Sequence, residues 1–160
     1  MSTTLRFLPP AETKALRAAV LRTGPLRDLP LGGDEVHGTL ALGAFAAAGD
    51  GTDKLVGCCL LVPEPAPAEI GVHGPAWRLR GMAVLPAYRG GTGTALLARA
   101  LEIAAQGGGE VVWCHARVPA RRLYERAGFV ALGGEFSEIG LPHLLMWRLL
   151  GPPGPDAREP

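Results

Sequence analysis

Arg89, Gly90, Gly91 and Gly93, in the run LPAYRGGTGTALL, form the arrangement in this chain with the most evident chemistry. Arginine supplies a permanent cation with a planar fork of donors, and glycines leave backbone N–H groups uncovered. The residues that follow read as a helix, because Leu96, Leu97, Ala100, Leu101 and Ala104 repeat at 3.6 residues per turn. The first turn of a helix has unpaired N–H groups and the positive end of the dipole. An anion held there would offset the roughly 1 kcal/mol that each glycine costs a helix. A Gly-rich surface turn is the other reading these residues permit.

A second set of residues can move protons. His73, His115, Glu135, Glu138 and His143 are candidate bases or relay partners, and a lone strand histidine is as readily structural. Arg78 and Arg80 alternate on an apolar strand; they can bind an acidic group, pair with protein carboxylates or face water. Asp34, Glu35 and His37 fall in an early loop, where they line a site or are simply solvated. Cys58 and Cys59 are adjacent and Cys114 stands in an apolar run. That spacing suits neither a metal site nor a disulfide framework, so reduced, buried thiols and no metal are expected.

Several elements must position these groups. A short strand at 5–8 is stopped by Pro9 and Pro10, and Leu16, Ala19 and Val20 give a helical face within 11–21. Residues 23–38 are rich in turn formers. Runs 40–48 and 54–62, joined by Gly49, Asp50 and Gly51, read as a hairpin. After a Pro-rich connection, Trp77 to Val84 form a strand in which Gly81 signals a bulge or a close backbone approach. Three glycines at 107–109 end the helix begun near Thr92, and 110–116 form a buried strand. Pro119 and Gly128 bracket a short second helix with Ala120, Leu123, Tyr124 and Ala127 on one face. Strands 129–132 and 143–150, separated by a loop at 133–142, close the chain. The order is βα, ββ, βα, βα, ββ.

At 160 residues and 48% hydrophobic, the chain is long enough to bury one core. One domain is expected over 1–150, with a disordered Pro/Gly-rich tail, GPPGPDAREP, at 151–160. The net charge of +1, from 16 basic and 15 acidic residues, gives no global field toward nucleic acid. Arg117, Arg121, Arg122 and Arg126 sit at helical spacing and read as a solvated helix face. No run approaches the ~20 apolar residues that span a bilayer, and the N-terminus lacks an apolar signal core, so a cytoplasmic protein is expected.

The segment LRGMAVLPAYRGGTGTALL resembles the cofactor-binding motif of the GNAT superfamily of acetyl-CoA-dependent N-acetyltransferases, and ARVPARRLYERAGF and GLPHLLMWRLL resemble its later motifs. The likeness covers nearly the whole chain. It implies an α+β fold with a mixed, mostly antiparallel central sheet of six to seven strands, splayed at the cofactor strand and flanked by helices. It also implies an acyltransferase that moves acetyl from acetyl-CoA to a primary amine of a small molecule, peptide or protein. Backbone groups of Met82, Ala83 and Val84 would meet the pantetheine arm. Arg89, Gly90, Gly91, Thr92, Gly93 and Thr94 would hold the pyrophosphate, the threonines adding hydroxyl donors.

The resemblance makes Tyr124 the candidate acid, where spacing alone leaves packing against Leu123 equally open. A phenol near pKa 10 is protonated at neutral pH, and a departing thiolate has a conjugate pKa of about 8.5. No carboxylate occupies the strand WRLRGMAV, so the base is open among His143, His115, Glu138 and a water relay. The family pattern R-x-x-G-x-G is also one residue short between Arg89 and Gly93, which removes or re-aims one donor. These two departures motivate an alternative, a non-catalytic acyl-CoA-binding or sensor domain. A dinucleotide site is disfavoured, because Leu96 stands where G-x-G-x-x-G needs its last glycine. Pairing of the apolar last strand across a homodimer is a further expectation.

Overall fold

The apolar runs of this chain alternate strand-like and helix-like periods, and a computed structural model describing residues 2–151 shows how they assemble. The strands are β1 (Thr4–Leu8), β2 (Leu40–Ala47), β3 (Asp53–Pro63), β4 (Ala76–Val84), β5 (Val111–Arg117), β6 (Val130–Glu138) and β7 (Leu141–Leu149). The α-helices are α1 (Lys14–Leu21), α2 (Thr92–Gln106) and α3 (Arg121–Arg126). One seven-stranded sheet has the order β1-β2-β3-β4-β5-β7-β6, antiparallel throughout except at β4–β5. The expected mostly antiparallel, splayed α+β sheet is what forms.

Adjacent residues of a strand face opposite sides of a sheet. Cys59 accordingly joins the core under α2, with Leu42, Leu61, Leu79, Leu96, Leu97 and Leu101, whereas Cys58 packs under α1 with Leu16 and Ala83. Burying each large apolar side chain is worth about 1.5–3 kcal/mol, enough to hold a helix on each face. All three cysteines are free and buried, as expected.

The parallel β4–β5 ladder consists of three pairs, Ala76↔Val111, Trp77↔Val112 and Arg78↔Trp113. Beyond them the two strands part.

The structure corrects several expectations. The turn before α1 is a 3-10 segment, Pro10–Thr13, which buries Thr13, and the helix buries Leu16 and Arg17 while Ala19 is exposed. The segment 133–142 is a β-hairpin rather than a loop. Its two turn residues, Ile139 and Gly140, have φ of 50° and 77°, and Glu138 pairs with Leu141. Arg117 lies in β5, not on a helix face. The last strand, β7, is flanked by β5 and β6, so it offers no free edge for pairing with a second copy. The expectation of a disordered tail falls mainly on residues 152–160, outside the described residues.

Candidate functional site

Where β4 and β5 separate, a cleft of about 1220 Å³ opens. One wall is β4 from Arg78 to Val84, and its β5-facing edge has no strand partner beyond Arg78 among the described residues. Met82 and Val84 line the cleft, whereas the side chain of Ala83 is buried against α1, leaving only its backbone for a ligand.

Gly81 shapes this wall. On β3 one residue, Cys59, lies between pairs Cys58↔Ala83 and Leu60↔Arg80, while β4 inserts two, Gly81 and Met82. That is the bulge the sequence signalled, with Gly81 at φ 62°. A Cβ there would lie 2.6 Å from Arg17 Cδ. Arg17 is 1% exposed; it donates to Thr13 Oγ1 at 2.9 Å, the Gly32 carbonyl at 3.2 Å and Asp34 Oδ1 at 3.0 Å. Burial alone would raise the Asp34 carboxyl, but the hydrogen bond and charge of Arg17, with Lys14, hold it below its ordinary value. Asp34 therefore anchors the bulge support, while Glu35 and His37 are exposed.

At the other end lies the start of α2. Gly90 and Gly91 have φ of 106° and 147°, and a Cβ on either would meet no protein atom within 4 Å. Backbone conformation, not packing, requires glycine here, and the space beside it is left open. The amides of Gly91, Thr92, Gly93 and Thr94 find no backbone acceptor among the described residues, and Gly91 supplies no side-chain cap. Arg89 is exposed and turns Nε to the Val84 carbonyl at 3.3 Å. The Thr92 side chain is buried and its hydroxyl donates to the Tyr88 carbonyl at 2.7 Å, so it is not the extra cleft donor expected from sequence. Thr94 does line the cleft.

Tyr124 stands in the opposite wall, 6% exposed, with no hydrogen-bond partner for its hydroxyl among the described residues. Burial pushes its phenol well above the ordinary value, with Cys114 and Cys59 adding to the shift. The proton is held firmly.

The floor carries a polar cluster from β4, β5, β6 and β7. His115 Nδ1 lies 3.0 Å from Glu138 Oε1 and 3.2 Å from Arg78 Nη2; His143 Nε2 lies 3.5 Å from Glu138 Oε2. One nitrogen serves both neighbours in turn: protonated, Nδ1 of His115 donates to Glu138, and unprotonated, it accepts from Arg78. His143 donates through Nδ1 to the Leu141 carbonyl at 2.9 Å, which fixes its ring. Burial alone would raise the Glu138 carboxyl, but the His115 hydrogen bond, the two histidines and Arg78 keep it low. Tyr124, Glu138, His115 and His143 thus share one cleft, whereas His73 and Glu135 are exposed and do not line it.

Sequence reasoning missed Arg17, Arg22 and Arg117. Arg117 Nη2 and Arg22 Nη1 both donate to the Leu21 carbonyl at the C-terminus of α1, at 2.9 and 3.2 Å. An arginine within the β5 strand VVWCHAR was the available signal.

Residues 18–129 match the acetyltransferase (GNAT) family. A Bacillus subtilis protein named as the uncharacterized N-acetyltransferase YitI is 34% identical over 119 residues, 73% of this chain and 75% of that protein. The crystal structure of an acyl-CoA N-acyltransferase from Pseudomonas aeruginosa superposes with a TM-score of 0.70 at 25% identity, covering 92% of this chain and 99% of the other. At 19% identity, a chain of the NatC complex bound to Gag peptide and CoA shares the fold, with a TM-score of 0.70 over 94% and 100% of the two chains.

Proposed function

The chain belongs to the GNAT acetyltransferase family and is an acyltransferase, and from that premise we propose that it transfers acetyl from acetyl-CoA to a primary amine, in the cytoplasm. The observation that carries this reading is a conjunction within one cleft. Free amides at the start of α2, an unpaired β4 edge and an unpartnered Tyr124 hydroxyl face a common space.

The residues present fit coenzyme A. Amides of Gly91 to Thr94, with Arg89 as cation, hold the pyrophosphate; charge-assisted bonds of this kind are worth about 1.5–3 kcal/mol each. Backbone groups of Met82, Ala83 and Val84 take the pantetheine amides. Bound acetyl-CoA supplies an acetyl group activated as a thioester. Tyr124 holds the proton that the departing sulfur requires. Glu138, with His115 and His143 beside it, accepts the proton that the amine loses, and a positioned acid or base contributes typically 10²–10⁴-fold.

Isothermal titration with acetyl-CoA, paired with thiol release over an amine panel, tests the reading. Binding with amine-dependent thiol release is expected. Binding without release on any amine would establish the acyl-CoA-binding alternative.

A further inference from the structure

The acceptor half of the cleft is rich in cations. Arg22, Arg78, Arg80 and Arg117 line it, against one lining carboxylate among the described residues, Glu138. Their states of satisfaction differ. Arg22 gives all three of its donor nitrogens to the Leu21 and Pro30 carbonyls. Arg78 is bound to Glu64 at 3.1 Å and lies 4.8 Å over the Trp113 ring, yet its buried Nε has no partner among the described residues. Arg117 uses Nη2 alone. Arg80 makes no hydrogen bond or ion pair among the described residues, although its stem passes beside Gly33 and its guanidinium beside Gly32.

The Arg80 nitrogens are not among the buried unpartnered atoms, so they keep access to the cleft, where a hydrogen bond from a charged donor to a ligand is worth about 1.5–3 kcal/mol. Glu35, Glu64 and Glu138 act on Arg80 only from beyond ion-pair distance, and Arg78 opposes it. The fold therefore holds in the cleft a cation that has no direct hydrogen-bond or ion-pair partner among the described residues. Its planar fork of donors suits the oxygens of a carboxylate or phosphate. It repels an acceptor of high positive charge.

We infer that the amine acceptor carries an anionic oxygen group, carboxylate or phosphate, which is held by Arg80 while its amine faces Glu138 and Tyr124. The inference rests on the acetyl-transfer reading above and narrows it to anionic amines.

The test is thiol release with acetyl-CoA over matched amines: amino acids against their amides, amino-alkyl phosphates against amino alcohols, and a polyamine. Anionic amines are expected to exceed their neutral partners at least tenfold in kcat/KM, and the carboxylate and phosphate arms tell the two sources apart. In Arg80→Gln that preference should collapse to within about threefold, with Arg80→Lys restoring part of it. Circular dichroism and acetyl-CoA titration establish that each variant is folded and binds the donor. Preference for a neutral amine or the polyamine, or an anionic preference that survives Arg80→Gln, would overturn the inference and leave the acetyl-transfer reading standing. Absence of release on every amine would instead sink both.

Discussion

Tyr124 is held in place by Phe129 through both backbone and ring. The Phe129 amide donates to the Tyr124 carbonyl at 3.0 Å, Gly128 donates to Glu125 at 3.0 Å with φ of 90°, and the two aromatic rings meet edge to face at 5.4 Å. This is the Schellman end of α3 with its hydrophobic contact, so the helix terminus itself aims the phenol into the cleft. The hydroxyl is left without a structural task.

Tyr124→Phe should consequently change little but chemistry. Turnover is expected to fall about 10²-fold or more, with little change in acetyl-CoA affinity and a shift in unfolding free energy below about 1 kcal/mol. Steady-state kinetics beside denaturant unfolding check this. An unchanged rate assigns the tyrosine to packing.

Gly91→Ala probes the start of α2. The new methyl meets no protein atom, but φ of 147° disfavours it and it projects where a ligand would approach. Acetyl-CoA should bind about tenfold more weakly, a change of about 1.4 kcal/mol read by titration calorimetry. Unaltered affinity would place the pyrophosphate elsewhere.

Asp34 links the bulge to acid stability. Its carboxyl sits below the ordinary value when folded, so its contribution is complete above the unfolded pKa of about 3.9 and is lost as pH falls through the folded one. Asp34→Ala strands the buried Arg17 charge, at about 3–5 kcal/mol near pH 7. Urea unfolding of both proteins should show that difference shrinking below about pH 4.

Glu138→Gln removes the charge between two histidines. Turnover is expected to drop about 10²-fold. Because the carboxyl is held below its ordinary value, the ratio of wild-type to variant kcat should stay level between pH 6 and 9. A ratio that varied steeply there would move the base to another group.

What could be read from sequence followed strong local rules. The helix at 92–106, the glycine after α3 and the bulge at Gly81 each follow from periodicity or from the freedom of glycine. What escaped depended on tertiary partners. The hairpin turn puts a β-branched residue, Ile139, at φ 50°, which no turn signature anticipates, and it is this turn that carries Glu138 over His115 and His143. Arg17 looks like a surface helix residue until Asp34 and the Gly81 bulge meet it. Thr92 reads as a free hydroxyl until the Tyr88 carbonyl claims it.

The parting of β4 and β5 also bears on how this protein avoids aggregation. An unpaired strand edge ordinarily recruits another chain, and proteins blunt such edges on the outside of their sheets. Here the exposed ladder lies in the middle of the sheet, between strands that remain tied at Ala76–Arg78 and are bridged by α2. A neighbouring molecule would have to thread a strand into a wedge closed at one end. An extended, narrow arm can enter that wedge and a foreign sheet cannot, so the backbone kept open there is sheltered by its position from intermolecular pairing.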